Sequence, residues 1–151
     1  MITKEQFESG YTYQEYRNLV DEKLAIGQTT GSSTNPAYLE HTKMNIHRMK
    51  RWDKTIELST ELKSQLENTP CPVNWLLLAE GWCGDASQNV PFLNKMAEAS
   101  PNIRLRILLR DEHLDIMDQY LTNGGRAIPK LIIMDASMNE IGTWGPRPAE
   151  I

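Results

Sequence analysis

Glu80-Gly81-Trp82-Cys83-Gly84-Asp85-Ala86-Ser87-Gln88-Asn89-Val90-Pro91 decides how this chain is read. The apolar run Val73-Asn74-Trp75-Leu76-Leu77-Leu78-Ala79 precedes it and reads as a buried strand. Val90, Leu93, Met96 and Ala97 follow at helical spacing, up to a stop at Ser100-Pro101. A thiol therefore stands where a strand hands over to a helix. The first turn of a helix has unpaired N–H groups and the positive end of the helix dipole, and both favour an anion. Cys83 is accordingly expected to be an acidic, nucleophilic thiol. Asp85 opposes this, because a negative charge beside a thiol disfavours the thiolate. An ordinary half-buried cysteine is the alternative reading of the position.

Beyond this unit, Ile103-Arg104-Leu105-Arg106-Ile107-Leu108-Leu109 alternates and then turns fully apolar, which predicts a second strand. Strand, helix, strand makes a βαβ unit with parallel strands. Asp111 is expected to cap a helix carrying Leu114, Met117 and Leu121 up to Asn123-Gly124-Gly125. Ile128-Pro129 opens a third strand, Lys130 to Asp135, and a short turn leads to a fourth, Glu140 to Trp144. The short turn implies an antiparallel hairpin. Leu131 and Ile133 fall on one face of the third strand and Ile132 and Met134 on the other, so both faces need cover.

Trp82-Cys83-Gly84-Asp85-Ala86 resembles the thioredoxin active site, Trp-Cys-Gly-Pro-Cys. Pro91 stands where that family's active-site helix carries a proline, Ile128-Pro129 is similar to its cis-proline loop, and Gly142-Thr143-Trp144-Gly145 to the end of its last strand. The resemblance covers about residues 73–148. It implies an α/β thioredoxin-like fold, a β-α-β-α-β-β core, here with an N-terminal helical extension. The expected division is 1–70 for the extension and 71–151 for the thioredoxin-like domain. Pro148-Ala149-Glu150-Ile151 reads as only the first turn of the family's closing helix, so that helix is expected to be missing or the chain cut short, with the N-terminal helices or a partner as the other sources of cover. Cover for the open face then falls to the N-terminal helices, with self-association closing any remaining gap.

The same resemblance implies thiol–disulfide exchange through Cys83 as the single nucleophile, with Trp82, Gly84, Asp85, Ile128 and Pro129 forming the substrate groove. Two positions depart from the family. Ala86 replaces the resolving cysteine, and Leu77 replaces a buried acid. An external thiol is then needed to resolve a mixed disulfide formed with a protein or low-molecular-weight substrate. A binding module that kept the groove and lost the reaction is the alternative. Trp82 reads equally as a rim residue or as core, and Ser87 as a capping or surface residue. Cys71, in Thr69-Pro70-Cys71-Pro72, is a poor substitute for the resolving thiol. A strand at about 3.3 Å per residue separates it from Cys83 by about 25 Å, and a disulfide needs Cα atoms within about 7 Å.

Upstream, Thr3-Lys4-Glu5-Gln6 and Thr12-Tyr13-Gln14-Glu15 both read as capping boxes. The second opens a helix with Tyr16, Leu19, Val20 and Leu24 on one face. After a polar loop, Asn35-Pro36 opens a long helical pattern from Leu39 to Leu66, read as one helix over 36–68 with a bend in it. Lys43, Arg48, Lys50, Arg51 and Lys54 give it a basic stretch, a site for an acidic partner or a solvated face. In an acidic chain the solvated face is the reading adopted. His41 and His47 fall on different sides of a helix and do not make a metal pair.

The 151 residues, 40% hydrophobic and 24% charged with a net charge of −4, suit one soluble domain with an extension. The acidic balance argues against a nucleic-acid surface, and no apolar run reaches membrane-spanning length. Neither a cofactor nor a metal is expected. The start shows no signal-peptide pattern and the two cysteines make no disulfide framework, so the expected location is cytoplasmic.

Overall fold

The computed structural model describes residues 1–148. Helices α1 (Lys4–Glu8), α2 (Tyr13–Ala25), α3 (Ala37–Thr55) and α4 (Thr60–Glu67) lead into β1 (Val73–Ala79) and α5 (Gly84–Glu98). There follow β2 (Ile103–Leu109), a 3-10 turn (Arg110–Glu112), the short α6 (Leu114–Met117), β3 (Lys130–Asp135) and β4 (Glu140–Trp144). The four strands run in the order β2-β1-β3-β4. β1 and β2 are parallel, β3 is antiparallel to β1, and β3 and β4 form the expected hairpin. Tyr11 bridges to Ile107 in antiparallel sense, so the N-terminal segment touches the free edge of β2.

β1, β2 and β3 alternate between two cores, as period-two side chains must. Trp75, Leu77, Ala79, Leu105, Ile107, Leu109 and Leu131 point to one face. There α5 supplies Val90, Leu93 and Ala97, α2 supplies Tyr16 and Val20, and α3 supplies Ile46 and Met49. Leu76, Leu78, Leu108, Ile132 and Met134 point to the other, where Ile2 and Phe7 from the N-terminus meet Ile116 and Met117. Arg104 breaks the apolar pattern of β2 because α1 uses it. Its guanidinium makes two 2.8 Å bonds to Glu8 and lies over the Phe7 ring. The N-terminal helices therefore share cores with the sheet. Arg17, 5% exposed on α2, reaches Asp53 of α3 at 3.0 Å and further locks these two helices together.

Both capping boxes form at Thr3 and Thr12. The long helix expected over 36–68 is instead two. Ile56 turns extended (ψ 124) and is buried, and the Ser59 hydroxyl accepts the N–H of Leu62 at 3.1 Å, which starts α4 afresh. The helix expected after Asp111 shrinks to α6. Asp111 falls inside the 3-10 turn, with its carboxylate bonded to the Ser32 N–H at 2.9 Å and to Arg110 Nε at 2.9 Å, and His113 precedes α6 without a side-chain cap. α6 buries the adjacent Ile116 and Met117, while Leu121 lies exposed. The first turn of a closing helix, expected at 148–151, falls outside the described residues beyond Pro148. On that face a groove of about 330 Å³ remains open among Trp75, Phe92, Met96, Ile133 and Trp144.

If α3 is part of the core, Met49→Ala should cost about 2–4 kcal/mol, since Met49 is 1% exposed. Urea unfolding measures this. A loss well under about 1 kcal/mol would mean that α3 rests on the sheet without contributing to its stability.

Candidate functional site

Cys83 is the N-cap of α5, with extended backbone (φ −81, ψ 121). Its Sγ accepts the N–H of Ala86 at 3.4 Å and lies 3.5 Å from the carbonyl oxygen of Ile128. The Ile128–Pro129 peptide is cis, and both residues are buried. The handover from β1 to α5 and the loop before β3 thus meet at the thiol, although about forty-five residues of chain lie between them. Cys71 is exposed at the opposite end of β1, and both cysteines are free. Ala86 is fully buried under the first turn of α5.

The N-terminal segments grip this turn from outside the core strands. Asn45 of α3 is fully buried. Its Nδ2 donates to the carbonyl of Gly81 at 3.0 Å, and its Oδ1 accepts from Arg48 Nη1 at 3.0 Å and lies 3.1 Å from Ser87 Oγ. The Ser87 hydroxyl is also 2.7 Å from the carbonyl of Gly84, so Ser87 is a buried tie and not a surface residue. The hydroxyl of Thr30 accepts the N–H of Gly81 at 2.8 Å. Gly81 packs so close to Val20 that a Cβ there would meet both methyl groups at 3.1 Å.

Trp82 takes neither of the two simple roles. It is half-buried, stacked on Tyr38 with centroids 4.6 Å apart, and has the Arg110 guanidinium 5.0 Å from its ring centre. Its indole N–H has no hydrogen-bond partner among the described residues. Beside it lies Glu80, fully buried, with Oε2 accepting from Thr30 at 3.3 Å and Oε1 unpartnered among the described residues. Gly31 closes this cluster at φ +87. A Cβ there would come within 2.7 Å of Trp82 Nε1 and 2.9 Å of Asp111 Oδ2.

Burial decides the electrostatics of both key groups. It pushes the Cys83 thiol above its ordinary value, against the backbone N–H groups of Ala86 and Asp85 that favour the thiolate; the Asp85 charge adds to the rise and Arg110 opposes it. The acidic thiol expected from the helix N-terminus is therefore opposed by burial, which outweighs the N–H groups of the first turn. Burial, reinforced by the charge of Asp111, raises Glu80 to about 8, with Thr30 and Arg110 pulling the other way. Asp111 is also partly desolvated, yet the Ser32 N–H and Arg110 hold it below the usual carboxylate range. Among the described residues no group of three or more His, Cys, Asp or Glu side chains is arranged to hold a metal.

Of the residues expected at the site, Cys83, Trp82, Gly84, Asp85, Ile128 and Pro129 are placed together or in adjoining positions. Glu80, Thr30, Asn45, Arg48 and Tyr38 were missed. The one available signal was Glu80, an acid directly following an uninterrupted buried strand.

A four-stranded mixed sheet with a cysteine capping the central helix beside a cis-proline loop defines the thioredoxin-like class of folds. The chain belongs to that family: the family profile described as Thioredoxin matches residues 31–151. A 1.5 Å crystal structure of a protein of unknown function from Pseudomonas aeruginosa is similar, at 22% identity and a TM-score of 0.70, covering 98% of this chain and 79% of that one. An HIV epitope scaffold gives the same values, 22% and 0.70, with the same coverage of 98% and 79%. These likenesses establish the fold. No curated protein matches the chain. Among the described residues no helix is long and apolar enough to cross a membrane.

The state of Glu80 is testable through stability. A carboxyl raised in the fold stabilises it fully below the unfolded-state value, about pH 4.3. That contribution is lost as pH rises through about 8. The slope in this window is at most about 1.4 kcal/mol per pH unit. Glu80→Gln removes the titration, so urea unfolding should show it gaining on the native protein from about pH 5 to about pH 8. Parallel pH profiles would mean that Glu80 is ionised in the fold.

Proposed function

We propose that the protein carries out thiol–disulfide exchange through Cys83 as a single nucleophile. The observation that carries this is the position of Sγ. It is held by the Ala86 N–H, faces the Ile128 carbonyl at 3.5 Å and opens on a groove. Cys83, as thiolate, attacks one sulfur of a disulfide RS–SR′. The S–S bond breaks, Cys83–S–S–R forms, and R′S⁻ leaves and takes up a proton. Ala86 has no thiol to attack the mixed disulfide. An external thiol R″SH does so, giving RS–SR″ and regenerating Cys83. The backbone of Ile128 lies where an extended substrate would pair alongside the thiol. The substrate is a protein or low-molecular-weight disulfide, and a reducing compartment such as the cytoplasm would supply the resolving thiol.

The raised thiol makes the thiolate scarce at neutral pH, but each thiolate is then more nucleophilic. The same raised value, together with the buried Ala86, favours the second reading, a groove that binds extended chains without reaction.

Mass spectrometry after treatment with the neutral bis(2-hydroxyethyl) disulfide distinguishes the two. We expect an adduct located on the Cys83 peptide, distinct from any on the exposed Cys71 and absent in Cys83→Ser, forming faster as pH rises from about 7 to about 10. No turnover is expected in a thioredoxin-reductase insulin assay, because the mixed disulfide is not resolved internally. A Cys83 that stays unmodified even at high pH would leave only the binding module.

A further inference from the structure

The groove before Cys83 carries charge that thiol chemistry alone does not use. It encloses about 440 Å³ between α3 and the start of α5, lined by Tyr38, His41, Asn45 and Arg48 on one side and Trp82 to Asp85 on the other. That volume suits a small ligand. Arg48 lies against Gly84, where even a Cβ would be 3.4 Å from Nη1. Its guanidinium is held by the buried Asn45 and, among the described residues, has no carboxylate within ion-pair distance. The acid in the groove wall, Asp85, is already bonded to Arg147 Nε at 3.1 Å. Among the described residues the wall therefore presents a fixed positive charge without an ion-pair partner beside the nucleophile, with the positive end of α5 adding to it.

We infer that Arg48 selects a carboxylate-bearing, low-molecular-weight disulfide as the partner of Cys83, an inference that rests on the exchange reading above. A guanidinium matches a carboxylate in geometry as well as charge. Because Asn45 already orients it, binding orders little that is not ordered beforehand. The positive charge also offsets the repulsion between the Cys83 thiolate and an anionic substrate. The bonds made and broken are those of the exchange above, with R carrying the carboxylate. On α3, Arg48 thus leaves the solvated face expected of the basic stretch, while Lys43, Lys50, Arg51 and Lys54 remain exposed.

The test measures adduct formation on Cys83 with oxidised glutathione (anionic), bis(2-hydroxyethyl) disulfide (neutral) and cystamine (cationic). The native protein is compared with Arg48→Gln, which keeps a donor for Asn45, and Arg48→Glu. The readout is the anionic-to-neutral rate ratio. It should fall about fivefold in Arg48→Gln, the scale of one ion pair near water, and further in Arg48→Glu, while the cationic-to-neutral ratio rises. Ratios equal in all three proteins would overturn the inference and leave exchange standing. Failure of the neutral disulfide as well would remove the exchange reading, and this inference with it.

Discussion

The side-chain amide of Asn45 is the contact on which the arrangement of the site depends. With 0% exposure it ties α3 to both sides of the turn that carries the thiol, Gly81 before it and Ser87 after it, and holds Arg48 on its own helix. A buried polar side chain is costly unless its donors and acceptors are matched, at about 1–3 kcal/mol for each group left unpaired. Here the match fixes α3 against the turn that carries Cys83. The open groove, the stacking of Tyr38 on Trp82 and the orientation of Arg48 all follow from where that helix is held.

The same closure sets the charge state of the site. A cap position at a helix N-terminus favours a thiolate, yet the N-terminal helices and the Ile128-Pro129 loop remove water from Cys83, and that loss wins. Glu80 follows the same rule with the opposite consequence for its charge state, a carboxyl held neutral near physiological pH by burial and by Asp111. The fold thus favours neutral forms of Cys83 and Glu80 between the charges that remain at the rim, Asp85, Asp111 and the arginines.

Strand alternation makes the two faces of β3 readable from the sequence. Leu131 and Ile133 go to one core and Ile132 and Met134 to the other. The capping boxes at Thr3 and Thr12 were equally legible, because each is a local pattern with a local reason. Asn45, Thr30 and Arg48 were not. Their partners lie on distant segments, and nothing in a stretch such as Lys43-Met44-Asn45-Ile46-His47-Arg48 separates a buried tie from a solvated polar face. The break at Ile56 and the short α6 were misread for the same reason, since a buried isoleucine and a carboxylate bonded to Ser32 overrode helical periodicity.

The family profile begins at residue 31, directly after Thr30. The hydroxyl that accepts the Gly81 N–H, and the Val20 methyls packed against Gly81, therefore lie outside the residues that the profile matches. The matched residues alone do not hold the turn that carries Cys83. Grafting this site onto another thioredoxin-fold scaffold would require α2 and the loop to residue 31 to travel with it. Without them the turn bearing the thiol would arrive with its backbone amide unclaimed.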